Sequence, residues 1–155
     1  MRILGLLSLT MVLAQNPHPG MSGQGAAVMG FDQDKTAHHF YLYEDGGAID
    51  VVVKNAGDTK NLDAIRSHLP HIAQMFGQGN FDAPMLVHDT KNVPGIAELA
   101  HGKDKVTYKY VETSKGGRVD IVTTDKQALS ALHQFLKYQI AEHQTGDPAT
   151  VAKRK

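Results

Sequence analysis

Apolar positions along the chain follow two periods, and the switch from one to the other happens twice in the same order. From His38 to Tyr43 the residue types alternate, with Phe40 and Leu42 on one face and Tyr41 and Tyr43 on the other, as a half-buried strand requires. Glu44-Asp45-Gly46-Gly47 supplies hairpin-turn chemistry, and the β-branched stretch Ala48 to Lys54 pairs back. Leu62, Ile65, Leu69, Ile72 and Phe76 then recur at the 3.6-residue spacing of a helix, with Asp58 or Thr59 as N-cap and Gly77 as the stop. In the second half Lys105 to Thr113 reads as a strand and Ser114-Lys115-Gly116-Gly117 as its turn. Arg118 to Val122 returns, matching Ala48 to Val52 almost type for type, and Leu129, Leu132, Leu136 and Ile140 mark another amphipathic helix that closes near Gly146. Residues 78 to 104 connect the halves through a short apolar piece, Ala83 to Val87, and a short helix after Pro94.

The chain is therefore read as a β-β-α unit used twice. Neither half buries its apolar face alone, so the expected fold is α+β: two hairpins joined in one antiparallel sheet, with both helices packed on one face. Four segments follow: a signal peptide at 1–14, a flexible arm at 15–30, a single domain at 31–147 and a basic tail at 148–155. The first rests on Arg2, the mostly apolar run Ile3 to Ala14 and its Val12-Leu13-Ala14 ending, which fits a secretory signal and predicts a periplasmic or secreted protein. The arm rests on Pro17, Pro19 and the absence of periodicity.

Composition narrows the function classes. The chain has 16 basic and 16 acidic side chains, and no basic stripe of the kind that tracks a phosphate backbone, so nucleic acid is not an expected partner. No segment after the signal approaches the ~20 apolar residues of a membrane span, so no insertion is expected once the signal is cleaved. There is no cysteine, hence no disulfide framework and no thiol chemistry. Lys153-Arg154-Lys155 reads as a solvated tail.

What remains is a concentration of imidazole and thioether. His68-Leu69-Pro70-His71-Ile72-Ala73-Gln74-Met75-Phe76 places His68, His71 and Met75 at i, i+3 and i+7, along one stripe of a helix. Pro84-Met85-Leu86-Val87-His88-Asp89 follows, and His38-His39 opens the first strand, where only one of the two can face the stripe. His68, His71, Met75, Met85 and His88, with His38 or His39, form a candidate metal set. Asp89 is available to orient a ligating imidazole. Imidazole with thioether and no thiolate suits copper better than harder ions, and an all-histidine subset suits zinc. Alone, each member has an ordinary explanation: helical histidine pairs are common on surfaces, and methionine is a core filler. Pro70 also threatens the stripe, because proline inside a helix removes a hydrogen bond and favours a kink or restart. The repeat supplies a control. Aligning Leu62 with Leu129 puts Phe135 opposite His68, Tyr138 opposite His71 and Glu142 opposite Met75, so the apolar frame does not itself require the ligand types. His18, Met21 and Met29 fall in the arm, and His101, His133 and His143 have no ligand-like neighbours in sequence.

Met29 to Phe40, the Asp45-Gly46-Gly47 turn, His68 to Phe76, Pro84 to Asp89 and Gly116-Gly117-Arg118-Val119 together resemble a family of small exported bacterial proteins of unassigned function. The resemblance spans Met29 to Asp147. Its pattern has serine at the place of Pro70. Members often carry the label aspartate carbamoyltransferase, which this chain contradicts: it is too short for carbamoyl-phosphate and aspartate domains, and it lacks the Ser-Thr-Arg-Thr-Arg phosphate loop. The resemblance brings no activity with it.

Three functions are expected in descending order. The first is an exported metal-binding protein, copper above others, serving as chaperone, buffer or electron carrier. The second is a non-covalent haem protein with histidine and methionine axial ligands. The third is a cofactor-free interaction or dimerisation module whose open sheet face presents Tyr41, Tyr43, Tyr108 and Tyr110, with exposed sheet edges favouring a homodimer. No nucleophile elbow, oriented serine-histidine-acid set or phosphate-binding glycine loop supports an enzyme.

Overall fold

Alternating strands and amphipathic helices assemble as the periodicities require, in an α+β fold. The computed structural model describes residues 27–154; the signal peptide expected at 1–14 and residues 15–26 of the arm lie outside them. Strands β1 (Thr36–Tyr43) and β2 (Gly46–Val53) form the first hairpin and are followed by helix α1 (Thr59–Gly77). The connection carries two short helices, α2 (Asp82–Val87) and α3 (Ile96–His101), and a 3-10 turn at Lys103–Lys105. Strands β3 (Val106–Thr113) and β4 (Gly116–Thr123) form the second hairpin, followed by α4 (Lys126–His143). Asp58 caps α1 by accepting from the Asn61 amide, and Asp125 caps α4 by accepting from Gln127 and Ala128. Among the described residues no helix is long and apolar enough to cross a membrane.

The sheet is antiparallel throughout in the order β1-β2-β4-β3, so the returning strands of the two hairpins meet at its centre. Their register is the signature of the repeat. Ile49 faces its own counterpart Val119, Gly46 faces Val122 and Val52 faces Gly116, which makes the β2-β4 seam an approximate two-fold axis. Each helix lies chiefly on the hairpin of the other repeat: α1 on β3 and β4, α4 on β1 and β2. This exchange is why neither half has a core of its own. Leu69 seats over Gly117 and its counterpart Leu136 over Gly47, where the missing side chain lets the helix approach the sheet. Ile65, Leu69, Leu132 and Leu136 are all buried, each worth roughly 1.5–3 kcal/mol relative to exposure.

Four sequence expectations change. Pro70 does not interrupt α1, which runs unbroken past it. The arm ends earlier than residue 30: residues 27–29 are helical, Met29 and Phe31 are buried, and Gln33 Nε2 donates to Met29 Sδ at 3.6 Å. Arg154 is not a solvated tail residue. It stacks on Tyr43 at 4.4 Å from the ring centroid and binds the carboxylates of Asp45 and Asp120 and the carbonyl of Ile121. With it, Ala152 pairs with the edge of β1 through Leu42 and Glu44. Finally, Tyr108 and Tyr110 face the core. Tyr108 occupies the β3 place that His38 occupies on β1, on the same inward side as Val106, and packs against Phe76 and Phe81. Of the four tyrosines only Tyr41 and Tyr43 lie on the open face, beside Arg118.

Candidate functional site

The approximate two-fold divides the core into halves of different chemistry. In one half, Phe76 of α1, Phe135 of α4 and Tyr108 of β3 pack around Phe81, with ring centroids 4.4–6.5 Å from that residue. The repeat frame carries these three positions onto His143, His68 and His38. What one half fills with aromatic carbon, the other lines with imidazole.

Those imidazoles surround a cavity of about 70 Å³ between α1, α4, α2 and the β1-β2 hairpin. His38 and Phe40 approach from β1, His68 and Ile72 from α1, Phe135, Gln139 and His143 from α4, and Ala83, Pro84, Val87 and His88 from α2 and its end. Met29 and Phe31 close the remaining side. The His38 and His143 ring centroids are 5.0 Å apart, and those of His88 and His143 5.1 Å. Phe31 wedges between His38 and His68 at 5.7 Å from each, as Phe81 does in the aromatic half. Apart from Gln139, the rest of the wall is apolar. Burial, with the neighbouring His71 adding a smaller effect, pushes His68 down to about 4, so its ring is neutral at physiological pH.

His88 is the best-defined ring of the set. Its side chain is fully buried, and its Nε2 lies 3.0 Å from Gln139 Oε1. On the other side of the ring, Nδ1 lies 4.0 Å from Glu142 Oε2. Gln139 and Glu142, rather than Asp89, are therefore the groups beside this ring.

The seven candidate ligands do not form one site. His38, His68 and His88 share the cavity. His39, the next residue along the strand, points to the opposite face and pairs with Asp147 at 3.0 Å. His71 is exposed on the outer side of α1. Met75 is half-buried against the core, and in an unbroken helix a position seven residues on from His68 is roughly 10 Å further along the axis, too far to share an ion at that residue's level. Met85 is likewise half-buried against the core, and it is not among the cavity's lining residues. Among the described residues no group of three histidine, aspartate or glutamate side chains is set to hold a metal ion as it stands.

No family model, curated protein or solved structure matches the chain.

Three members of the site escaped the sequence reading: His143, Gln139 and Met29. A signal for the first was present. Carried one residue beyond Glu142, the helix alignment sets His143 opposite Phe76, a polar ring at a core position. Gln139, opposite Ile72 and 4% exposed, carries the same signal. Met29 had none, because nothing local distinguishes a docked turn from a free arm. His133 has a structural task, with Nε2 within 3.0 Å of the Tyr43 and Gly46 carbonyls, where it holds the first hairpin turn against α4.

Proposed function

We propose that the protein binds a transition-metal ion, copper above others, in the imidazole-lined cavity, with His38, His88 and His143 as ligands and His68 and Met29 on its wall. The separation of His143 from His38 and from His88 carries the reading. An ion about 2 Å from a ring nitrogen is about 3 Å from the centroid, so two imidazoles on one tetrahedral ion have centroids about 5 Å apart. The pairs His38–His143 and His88–His143 have that separation. Gathering the three donors requires rotation of the rings about their side-chain bonds, with Gln139 retaining His88 by its Nε2–H.

Copper is favoured over zinc by the setting. The ligands are neutral, the walls are apolar and a thioether is at hand, so a soft monovalent ion is less costly to bury than a hard divalent one. The expected export of the chain suits an ion-handling role as buffer or chaperone.

The test uses the repeat as its own guide. His38→Tyr and His143→Phe install the residues that the other half carries at those places, so the frame should accept them. The wild-type protein should take up one copper per chain by elemental analysis and titration. The double variant should lose at least about 100-fold in affinity, and His39→Ala and His71→Ala should lose nothing. Wild-type protein that takes up no copper, or a double variant that binds as tightly, would overturn the reading.

A further inference from the structure

One donor in the cavity wall has no partner among the described residues. Gln139 is 4% exposed and lines the cavity with Phe40, Ile72, Val87 and Phe135. Its Oε1 is paired with His88 Nε2 at 3.0 Å, and its Nε2 is buried without a hydrogen bond. A buried donor left unmatched carries the full cost of its desolvation, so a native chain keeps such a group where something else completes it. The fold itself does not require an amide there. The counterpart position on α1 is Ile72, which is also buried and wholly apolar.

We propose that the metal-free cavity is a binding site for a small neutral carbonyl compound, whose oxygen accepts from Gln139 Nε2 and whose alkyl groups fill the apolar space beside it. Hydrogen bonding, charge and size together define this class. The unmatched group is a donor, so the ligand must bring an acceptor. The oxygen of the same amide is already engaged, so a hydroxyl, an amine or a water would bring donors that Gln139 cannot match. No charged side chain lines the cavity among the described residues, and burial keeps His68 neutral, so a charged organic molecule would leave water without a partner charge. An apolar cavity of about 150 Å³ holds benzene, so one of about 70 Å³ admits about three or four non-hydrogen atoms, the size of acetaldehyde or acetone. Such a molecule and a metal ion would compete for the same space, and the binding proposed here is that of the chain without metal. Gln139 is then the residue that selects the ligand, and the apolar wall limits its size.

Acetone is the probe, titrated into the full chain with chelator present while the side-chain amide protons of Gln139 are followed by nuclear magnetic resonance. Those protons should shift and saturate with a dissociation constant below about 10 mM, well within the ceiling for a ligand of about four heavy atoms. Nuclear Overhauser contacts should run from the acetone methyls to Ile72 and Val87. Isobutene, which has the same shape with a CH2 group in place of the oxygen, separates the hydrogen bond from apolar filling. In Gln139→Ile, which installs the counterpart residue, acetone should weaken at least about fivefold relative to isobutene. His39→Ala, on the opposite face of the sheet, should bind both molecules as the wild type does. Acetone that fails to saturate in this range, that leaves the Gln139 protons unmoved or that loses nothing relative to isobutene in Gln139→Ile would overturn the proposal, as would an ordered water that stays on the amide in its presence. The wild-type shifts and contacts decide the matter if Gln139→Ile does not fold. Copper plays no part in this test, so its failure leaves the metal reading standing, and failure of copper uptake leaves this inference intact.

Discussion

His68 should make the metal-free protein sensitive to mild acid, and the size of the effect follows from its burial. The ring is held neutral, with its pKa lowered from 6.5 to about 4, chiefly because the charged form would lose its water in the apolar cavity. The unfolded chain therefore binds a proton at His68 between pH 6.5 and 4 that the folded chain does not. Stability contributed by the neutral ring is fully present above pH 6.5 and is lost as pH falls toward 4. Each tenfold difference in proton affinity is worth about 1.4 kcal/mol, so the loss reaches about 3 kcal/mol near pH 4, a large part of the 5–15 kcal/mol typical of a domain. Urea unfolding of the wild type and of His68→Phe, with chelator present, measures it. The variant carries the ring found at the counterpart Phe135 and cannot titrate. Other groups contribute to both proteins, so the difference between the two stability curves isolates His68. The wild type should lose about 2–3 kcal/mol relative to the variant between pH 7 and pH 4.5. Parallel curves, or a His68 proton resonance that titrates near 6.5, would refute the argument that the cavity excludes charge at this position.

Two further outcomes test the frame that builds the cavity. A side chain added at Gly46 or at its counterpart Gly116 would place Cβ 1.9 Å from the carbonyl oxygen of Ile121 or Val51, across the central seam, and neither strand can retreat without breaking the ladder. Gly46→Ala and Gly116→Ala should each cost about 3 kcal/mol or more by urea unfolding, whereas alanine at Gly77, which meets nothing within 4 Å, should cost little. At the other end of the chain, Arg154→Ala should cost about 1 kcal/mol, less in high salt, because its guanidinium is only partly shielded from water. Hydrogen exchange should show the Ala152 and Glu44 amides losing protection while the β2-β4 amides keep theirs.

Much of the architecture was legible because its causes are local. Period-two alternation specified Phe40, Leu42, Val119 and Ile121 as the inward face, and the 3.6 spacing specified Ile65, Leu69, Leu132 and Leu136. Assigning Tyr108 and Tyr110 to the open face failed where the same alternation, applied from Val106, would have turned them inward. Pro70 failed as a helix breaker because packing on both sides of it outweighs one missing hydrogen bond. Arg154 and Met29 were not legible: each is placed by partners far away in the chain, Tyr43, Asp45 and Asp120 for the one and the cavity wall for the other.

For the site, the chain by itself determined the inventory of neutral, soft donors and the asymmetry between the repeats, since both are properties of residue type against a shared apolar frame. It did not determine which donors meet. Successive strand residues face opposite ways, so His38 enters the core and His39 leaves it. Residues seven apart on a helix share a stripe but are two turns apart, so Met75 is separated from His68. His143 and Gln139 reach the same cavity only because α4 crosses onto the hairpin of the other repeat, and that exchange is a consequence of burying two incomplete apolar faces against each other.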